Sequence, residues 1–481
     1  MALVLLVFIP LYPKLPSLEV PGSYVRIRLE DFAVAIAFLT ALPTVWQRRK
    51  NLFKNSISQG IIVYWLVGLA ATISTLLITR LVWPHLAWLH YFRRIEYMGL
   101  FFLGILAIRN KKDFKVFLIA LFITISLIFI YGLGQKFYSL PAISTMNEEF
   151  SKGATIELDV WTRIAATFAG HYDLAIFMTL VMPIVLAIFF ATQNKLKKIG
   201  LVLVFVSCYY LLILTASRVS FIAYLVSISF LLLLLKKKWW LIPIIGLSLL
   251  GSLFSEDINQ RFAATIKVEG PKITQKINQA LDFFLTEEKQ KELAQKKSTT
   301  PTSTITEEET ELDDTKEPSK IPKKTGQTVI KLTPTPPEQS RHEAAEIGVE
   351  RSGDIRFGVE WPRALRHFKK NPILGTGYSS ITLATDNDYL RTLGETGLLG
   401  FLALISIFLA QVPVYLNGLT KKKINQETKF LTMSLAASTI ALLISMLFID
   451  ALESSKIAFS YWLILGLVIG RINLDKKDEQ I

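Results

Sequence analysis

The sequence predicts an all-α polytopic membrane protein with about twelve transmembrane helices and a large extracytoplasmic loop between the ninth and tenth. Two observations carry this. About half of the 481 residues are hydrophobic (51 %), and the charged ones (19 %) gather in blocks between long apolar runs. A helix needs roughly 17 to 25 predominantly apolar residues to cross the hydrocarbon, and runs of that kind recur along the chain.

The first run, Met1 to Tyr12, is short. With no basic stretch before it and no small-residue cleavage site, it reads as a retained helix. Runs at about 31–46, 60–83, 94–109, 113–132, 172–191, 198–215, 217–235 and 238–254 follow, and the last three lie at about 396–416, 429–450 and 455–471. The chain therefore divides into 1–254 with nine helices, a loop at 255–395, and 396–481 with three helices and a tail.

Lysine and arginine stay on the cytoplasmic side of a membrane protein. The clusters Arg48-Arg49-Lys50, Lys111-Lys112, Lys195 with Lys197-Lys198, Lys236-Lys237-Lys238, Lys421-Lys422-Lys423 and Lys476-Lys477 all fall on one side of the twelve runs. Both termini are then cytoplasmic, the loop faces outward, and the net charge of +14 reports topology, not nucleic-acid binding. Trp83, Trp88, Trp239 and Trp240 flank runs, where indole rings anchor at the headgroups. The single cysteine, Cys208, allows no intrachain disulfide and suggests no thiolate metal site.

Within the loop, Ile258 to Phe284 carries apolar residues at helical spacing and predicts one or two amphipathic helices against the membrane face. Residues of about 290–346 are rich in Thr, Pro, Glu and Lys, nearly without aromatics, and predict a disordered insertion. After it, a helix is expected around Trp361 to Phe368, stopping before Asn371-Pro372 and followed by a glycine-containing turn.

Charges at the mouth of a span are costly and so are candidates for chemistry. Arg80, Arg93, Arg94 and Arg109 are read as snorkelling to the headgroups. Arg218, in LILTASRVSFIAYL, sits on a tight outer turn between two spans, where its guanidinium can bind phosphate through two parallel hydrogen bonds. Arg356 and Trp361, in SGDIRFGVEW, form a second candidate pair, with a surface salt bridge as the plain explanation for the arginine. His171 and Asp173, in TFAGHYDLAIF, could serve as proton shuttle, substrate contact or a cap at the start of a helix. Asp388, Arg391 and Glu395 follow i, i+3, i+7 spacing on one helix face; the plain explanation is a chain of ion pairs, and Asp388 and Arg391 are also candidate substrate contacts.

Four stretches together, RIAATFAGHYDLA, TASR, IRFGVEW with NPILGTG, and DNDYLRTLGETGLLG, resemble the O-antigen ligase and O-antigen polymerase superfamily of bacterial envelope membrane proteins. The topology is similar as well. The resemblance implies a metal-independent, inverting glycosyl transfer needing no cofactor, from a polyprenyl-diphosphate-linked donor to a hydroxyl of a lipid, glycan or protein acceptor. The work would be done at the extracytoplasmic face of the cytoplasmic membrane. It assigns diphosphate binding to Arg218 and Arg356.

The chain departs from the family pattern twice. The family's histidine, the base toward the acceptor, precedes a glycine by ten intervening residues; here Gly397 matches the glycine and Asp386 stands at the histidine position. Asp386 as base, Asp388 or His171 in its stead, and glycan binding without catalysis are the three readings. The spacing from Arg356 to Trp361 is also one residue longer than the family form, which makes Arg363 a competitor for the arginine role. Ligase and polymerase are not separated by the sequence. A lipid-linked glycan transporter or flippase and a non-catalytic assembly protein stand as alternatives, with transport disfavoured because the distinctive charges gather at the outer surface and not at the midplane.

Overall fold

The computed structural model describes residues 1–21, 26–143, 155–156, 163–253, 255, 258–267, 352–382, 384–420 and 425–478. The described chain is mostly helical. Its helices are α1 (Ala2–Leu11), α2 (Leu29–Phe53), α3 (Ser56–Ser74), α4 (Pro84–Ala107), α5 (Lys111–Tyr138), α6 (His171–Ala191), α7 (Lys195–Leu214), α8 (Arg218–Leu234), α9 (Leu241–Leu253), α10 (Ile258–Lys267), α11 (Trp361–Lys370), α12 (Asp388–Thr420), α13 (Gln426–Ser445) and α14 (Ser455–Asp478). Two short antiparallel pairs, Pro16–Leu18 with Ile27–Arg28 and Ala142–Ile143 with Thr155–Ile156, are the strands among the described residues.

Each of the expected apolar runs lies on a helix. Eight are long and apolar enough to cross a membrane: α2, α3 with the π turn that extends it to Thr79, α5, α6, α7, α12, α13 and α14. A ninth is possible if α9 and α10, which meet at 89°, count as one broken span. The remaining runs fall short for physical reasons. α1 and α8 have 10 and 17 residues, and α4 carries His85, His90, Arg93, Arg94 and Glu96 in its first half. Expected features at 268–284 and 290–346 lie outside the described residues, as does Lys421-Lys422-Lys423.

Polar residues start the helices where the sequence turns. Asn55, Asn110, Asn194 and Asn425 accept backbone N–H groups in the first turns of α3, α5, α7 and α13, and Ser217 does the same for Ser220 at the start of α8. Such caps contribute about 1 kcal/mol each. α6, α13 and α14 are buried along most of their length and form the centre, whereas α2 and α7 leave their apolar surfaces open on the outside of the bundle. α14 packs on α4 where Gly104 and Gly466 let the two backbones approach. α13 packs on α6, pinned where Ser438 Oγ donates to the Leu180 carbonyl at 2.6 Å.

Two irregularities position the site. α12 is broken at Gly397, whose φ of 67° and ψ of −169° are non-helical. The NPILGTG segment docks on the break and supplies the missing backbone partners. Leu398 N donates to Pro372 O (2.8 Å) and Leu399 N to Ile373 O (3.2 Å), while Thr376 N and Gly377 N donate to Gly394 O and Glu395 O (3.0 and 2.7 Å). A methyl group at Gly397 would strike the Ile373 backbone, and one at Gly375 the Glu395 backbone. The two motifs thus form one unit, and backbone at membrane depth keeps its hydrogen bonds.

The second irregularity is a π turn at Arg356–Glu360, inside a helical stretch that begins at 352 and continues as α11. A π turn is what one surplus residue makes of an α-helix. This one runs from Arg356 to Glu360, so Arg356 and Trp361 stand one π turn apart.

Candidate active site

Asp386 occupies a tight turn just before α12. Asn387 caps the helix, its Oδ1 accepting Leu390 N (2.9 Å) and its Nδ2 donating to Leu447 O (3.0 Å). The Asp450 carboxylate, at the far end of the α13 segment, accepts Thr385 N (2.8 Å) and Asn387 N (3.1 Å). Held on both sides, Asp386 adopts φ = 49°, a left-handed conformation that aspartate tolerates better than most residues. Its carboxylate meets Arg356, whose Nε and Nη2 lie 2.9 and 2.8 Å from Oδ2. Burial pushes the Asp386 carboxyl above the usual range; Arg356 offsets this and Asp450 adds to it. Burial lowers the Arg356 pKa, but the attraction of Asp386 outweighs it with help from Tyr172, and the guanidinium is held firmly charged.

Around this pair the structure gathers further cations. Tyr172, second residue of α6, hydrogen-bonds to both Arg356 and Arg163. Arg163 Nη1 lies 2.6 Å from His171 Nε2. A guanidinium can only donate, so Nε2 accepts and the ring proton sits on Nδ1. His171 is thus committed to orienting Arg163 and its lone pair is engaged. Arg218 Nη1 donates to the carbonyl of Arg261, on α10, at 3.3 Å, and the Arg261 charge acts on His171. Four arginines from separate segments, Arg163, Arg218, Arg261 and Arg356, are thereby linked around the N-termini of α6 and α8 and the turn before α12.

Other sequence candidates lie elsewhere. Asp388 is buried; its two oxygens sit 3.2 and 3.1 Å from Leu452 N, tying α12 to the loop before α14. Arg391 is a buried hub that donates to Asp450 Oδ2 (3.0 Å) and Ile381 O (3.1 Å) and approaches Glu453 and Glu395 at 3.3 and 3.5 Å. Arg94 joins it, paired with Glu453 and donating to Leu452 O at 3.2 Å. Arg391 and Glu395 form an ion pair, but the chain runs on to Asp450 and Glu453, and Asp388 accepts a backbone N–H where the spacing had suggested an ion pair. Asp173 faces Lys14 at 3.8 Å and holds the N-terminal segment against α6.

On the π turn and α11, Trp361 packs edge-on against Phe357 (4.7 Å) and leans on Phe448 (6.2 Å). Arg363 keeps a buried Nη1 without a hydrogen-bond partner. His367 Nδ1 meets Thr376 Oγ1 at 2.9 Å and ties α11 to NPILGTG. Glu360 had drawn no attention in the sequence, yet its carboxyl is pushed up to about 7 by burial together with the charges of Asp386 and Asp450, with Arg356 and Arg363 pulling the other way. Arg163, Tyr172, Arg261, Glu360 and Asp450 were all missed. Arg163, Tyr172 and Glu360 lie inside motifs already singled out, RIAATFAGHYDLA and IRFGVEW, and that was the available signal.

No curated protein matches the chain. Residues 199–405 match a family model described as O-antigen ligase, a stretch that holds Arg218, Arg261, Arg356, Asp386 and Gly397. With the helical membrane architecture, this match over residues 199–405 supports membership of the O-antigen ligase/polymerase superfamily.

Proposed function

We propose that this protein transfers a glycan from a polyprenyl-diphosphate-linked donor to a hydroxyl acceptor, with inversion, on the outer face of the cytoplasmic membrane. The observation that carries this is the convergence of Arg163, Arg218, Arg261 and Arg356 at one end of the bundle. A departing diphosphate accumulates negative charge, and fixed guanidiniums stabilise it where a metal ion would otherwise serve. The family match supports the same reaction class.

In this reaction the acceptor oxygen attacks the anomeric carbon opposite the diphosphate. The carbon–oxygen bond to the diphosphate breaks, its electron pair leaves with the polyprenyl diphosphate, and the hydroxyl proton passes to a carboxylate. Asp386, at the position where the register with Gly397 puts the histidine of the resemblance, is one of the carboxylates gathered beside Arg356. The reading carries with it twelve crossings and cytoplasmic termini, which place the arginine end outside. Cysteine-accessibility labelling at 50, 140, 237 and 478 tests the topology.

The transfer itself is tested by supplying the protein, reconstituted in lipid, with a labelled polyprenyl-diphosphate-linked glycan and separate lipid, glycan and protein acceptors. Transfer to one class separates ligase from polymerase. Transfer to none of them by the folded protein refutes the enzyme reading, and Arg218→Ala is expected to abolish transfer while leaving membrane insertion intact.

A further inference from the structure

We infer that the carboxylate which takes the acceptor's proton is Glu360, and that Asp386 serves to hold Arg356. The inference rests on the transferase reading above. Arg356, Glu360 and Arg363 fall at i, i+4 and i+7 and share one face of the helical stretch. That face meets Asp386, because Arg356 grips it. The charged groups around Glu360 are Arg356 and Arg363 from its own stretch, Asp386 from the turn before α12, and Asp450 from the segment after α13.

The two carboxylates differ in what occupies them. Asp386 Oδ2 is taken by both Nε and Nη2 of a permanent cation. That pairing offsets the effect of burial on Asp386 and occupies the oxygen that an incoming hydroxyl would have to approach. Glu360 Oε2 is buried with no hydrogen-bond partner among the described residues. A buried carboxylate oxygen without a donor is costly and calls for an explanation, and an incoming hydroxyl is the donor it lacks. Two more buried polar atoms without a hydrogen-bond partner among the described residues lie within three residues, Trp361 Nε1 and Arg363 Nη1, both donors. The surface is therefore furnished with an acceptor and donors that other described residues leave unused, as a polyhydroxyl substrate requires.

Glu360 is the last residue of the π turn that opens at Arg356, so one turn carries both the guanidinium and the carboxylate. A carboxyl poised near neutrality is also best matched to general-base work at that pH, since it is both available and sufficiently basic.

The step balances simply. The acceptor O–H bond breaks and its proton goes to Glu360. The new bond forms from that oxygen to the anomeric carbon, and the polyprenyl diphosphate departs with the electron pair of the broken bond. The proton leaves Glu360 to water before the next turnover.

The experiment uses the full-length protein in lipid with a labelled polyprenyl-diphosphate-linked glycan, comparing wild type, Glu360→Gln, Glu360→Asp and Asp386→Asn across pH 5.5 to 8.5. Farnesyl diphosphate is the probe for donor-headgroup binding. Wild-type transfer is expected to rise with pH through a limb near neutrality. Glu360→Gln should lose about 100-fold or more in rate, lack that limb, and bind farnesyl diphosphate as wild type does; Glu360→Asp should restore part of the rate. Asp386→Asn should keep the limb while weakening the probe. Glu360→Gln that transfers normally with the limb intact overturns the inference, as does loss of farnesyl diphosphate binding in that variant, which would place Glu360 in the donor site. A wild-type protein that binds the probe and transfers nothing refutes the transferase reading itself.

Discussion

Arg356 places Nε and Nη2 on a single oxygen of Asp386, 2.9 and 2.8 Å away, joining the π turn to the turn that starts α12. The pair sets the direction of the guanidinium, which Tyr172 meets from the start of α6. Arg356→Lys keeps the charge but loses the planar fork, so farnesyl diphosphate binding and transfer should both fall. Arg356→Ala should cost about 100-fold or more in transfer, the scale for removing one preorganised charge donor. Asp386→Asn should cost less, and the double variant should be no worse than Arg356→Ala, because the two act as a unit. Strict additivity in that cycle would separate them.

Gly397 is the point where α12 breaks and NPILGTG docks, at φ and ψ values essentially reserved for glycine. Gly397→Ala should lose about 1–3 kcal/mol from the backbone alone, with the collision against Ile373 added. Thermal unfolding in detergent measures this. Gly246→Ala in α9 is the control: nothing lies within 4 Å of the added methyl, and alanine should be neutral or mildly stabilising there. Equal melting temperatures for the two variants would show that the docked turn does not depend on the break.

The helical architecture was legible because long apolar runs mark the helices directly. The helix at 361–370 and the Arg391–Glu395 ion pair followed from local spacing, whereas Asp388, on the same face, is bound to the Leu452 backbone. What was not legible depends on contacts across long stretches of sequence. Asp450 shapes the Asp386 turn from more than sixty residues away, as Arg391 approaches Glu453. The π turn is a one-residue shift in backbone hydrogen bonding that hydrophobic periodicity does not register. His171 illustrates the limit: its type and place were read correctly, but that Arg163 would occupy its Nε2 needed the fold of the intervening turn.

The raised carboxyl of Glu360 also predicts how stability depends on pH. Its folded value of about 7 lies above the ordinary 4.5, so the native state holds this proton more tightly than the unfolded chain. The contribution is fully present below about pH 4.5, and is lost as pH rises through about 7. Glu360→Gln stays neutral throughout. Its melting temperature should therefore exceed that of wild type at pH 8 and converge with it near pH 4, by a modest margin because the group is partly solvent-screened. A difference that does not vary with pH would mean that Glu360 titrates normally.

Arg391 is the residue on which the buried charges beneath the site depend. Its side chain is 11 % exposed and serves Asp450, Glu453 and Glu395 together with the Ile381 carbonyl. Arg94 is engaged by Glu453, the Leu452 carbonyl and the Tyr378 ring, so it is not placed to replace Arg391 at Asp450. Arg391→Met would leave buried carboxylates without their cation, and breaking one side of such a cluster costs about 3–5 kcal/mol. The loss should also reach the site, because Asp450 positions Thr385 and Asn387 on either side of Asp386. Arg391→Lys should fall between, retaining charge at Asp450 without spanning all four partners. Asp450→Asn in the Arg391→Met background should recover part of the melting temperature by removing one stranded charge. If the double variant is instead less stable than Arg391→Met, the damage comes from lost packing and not from unpaired charge.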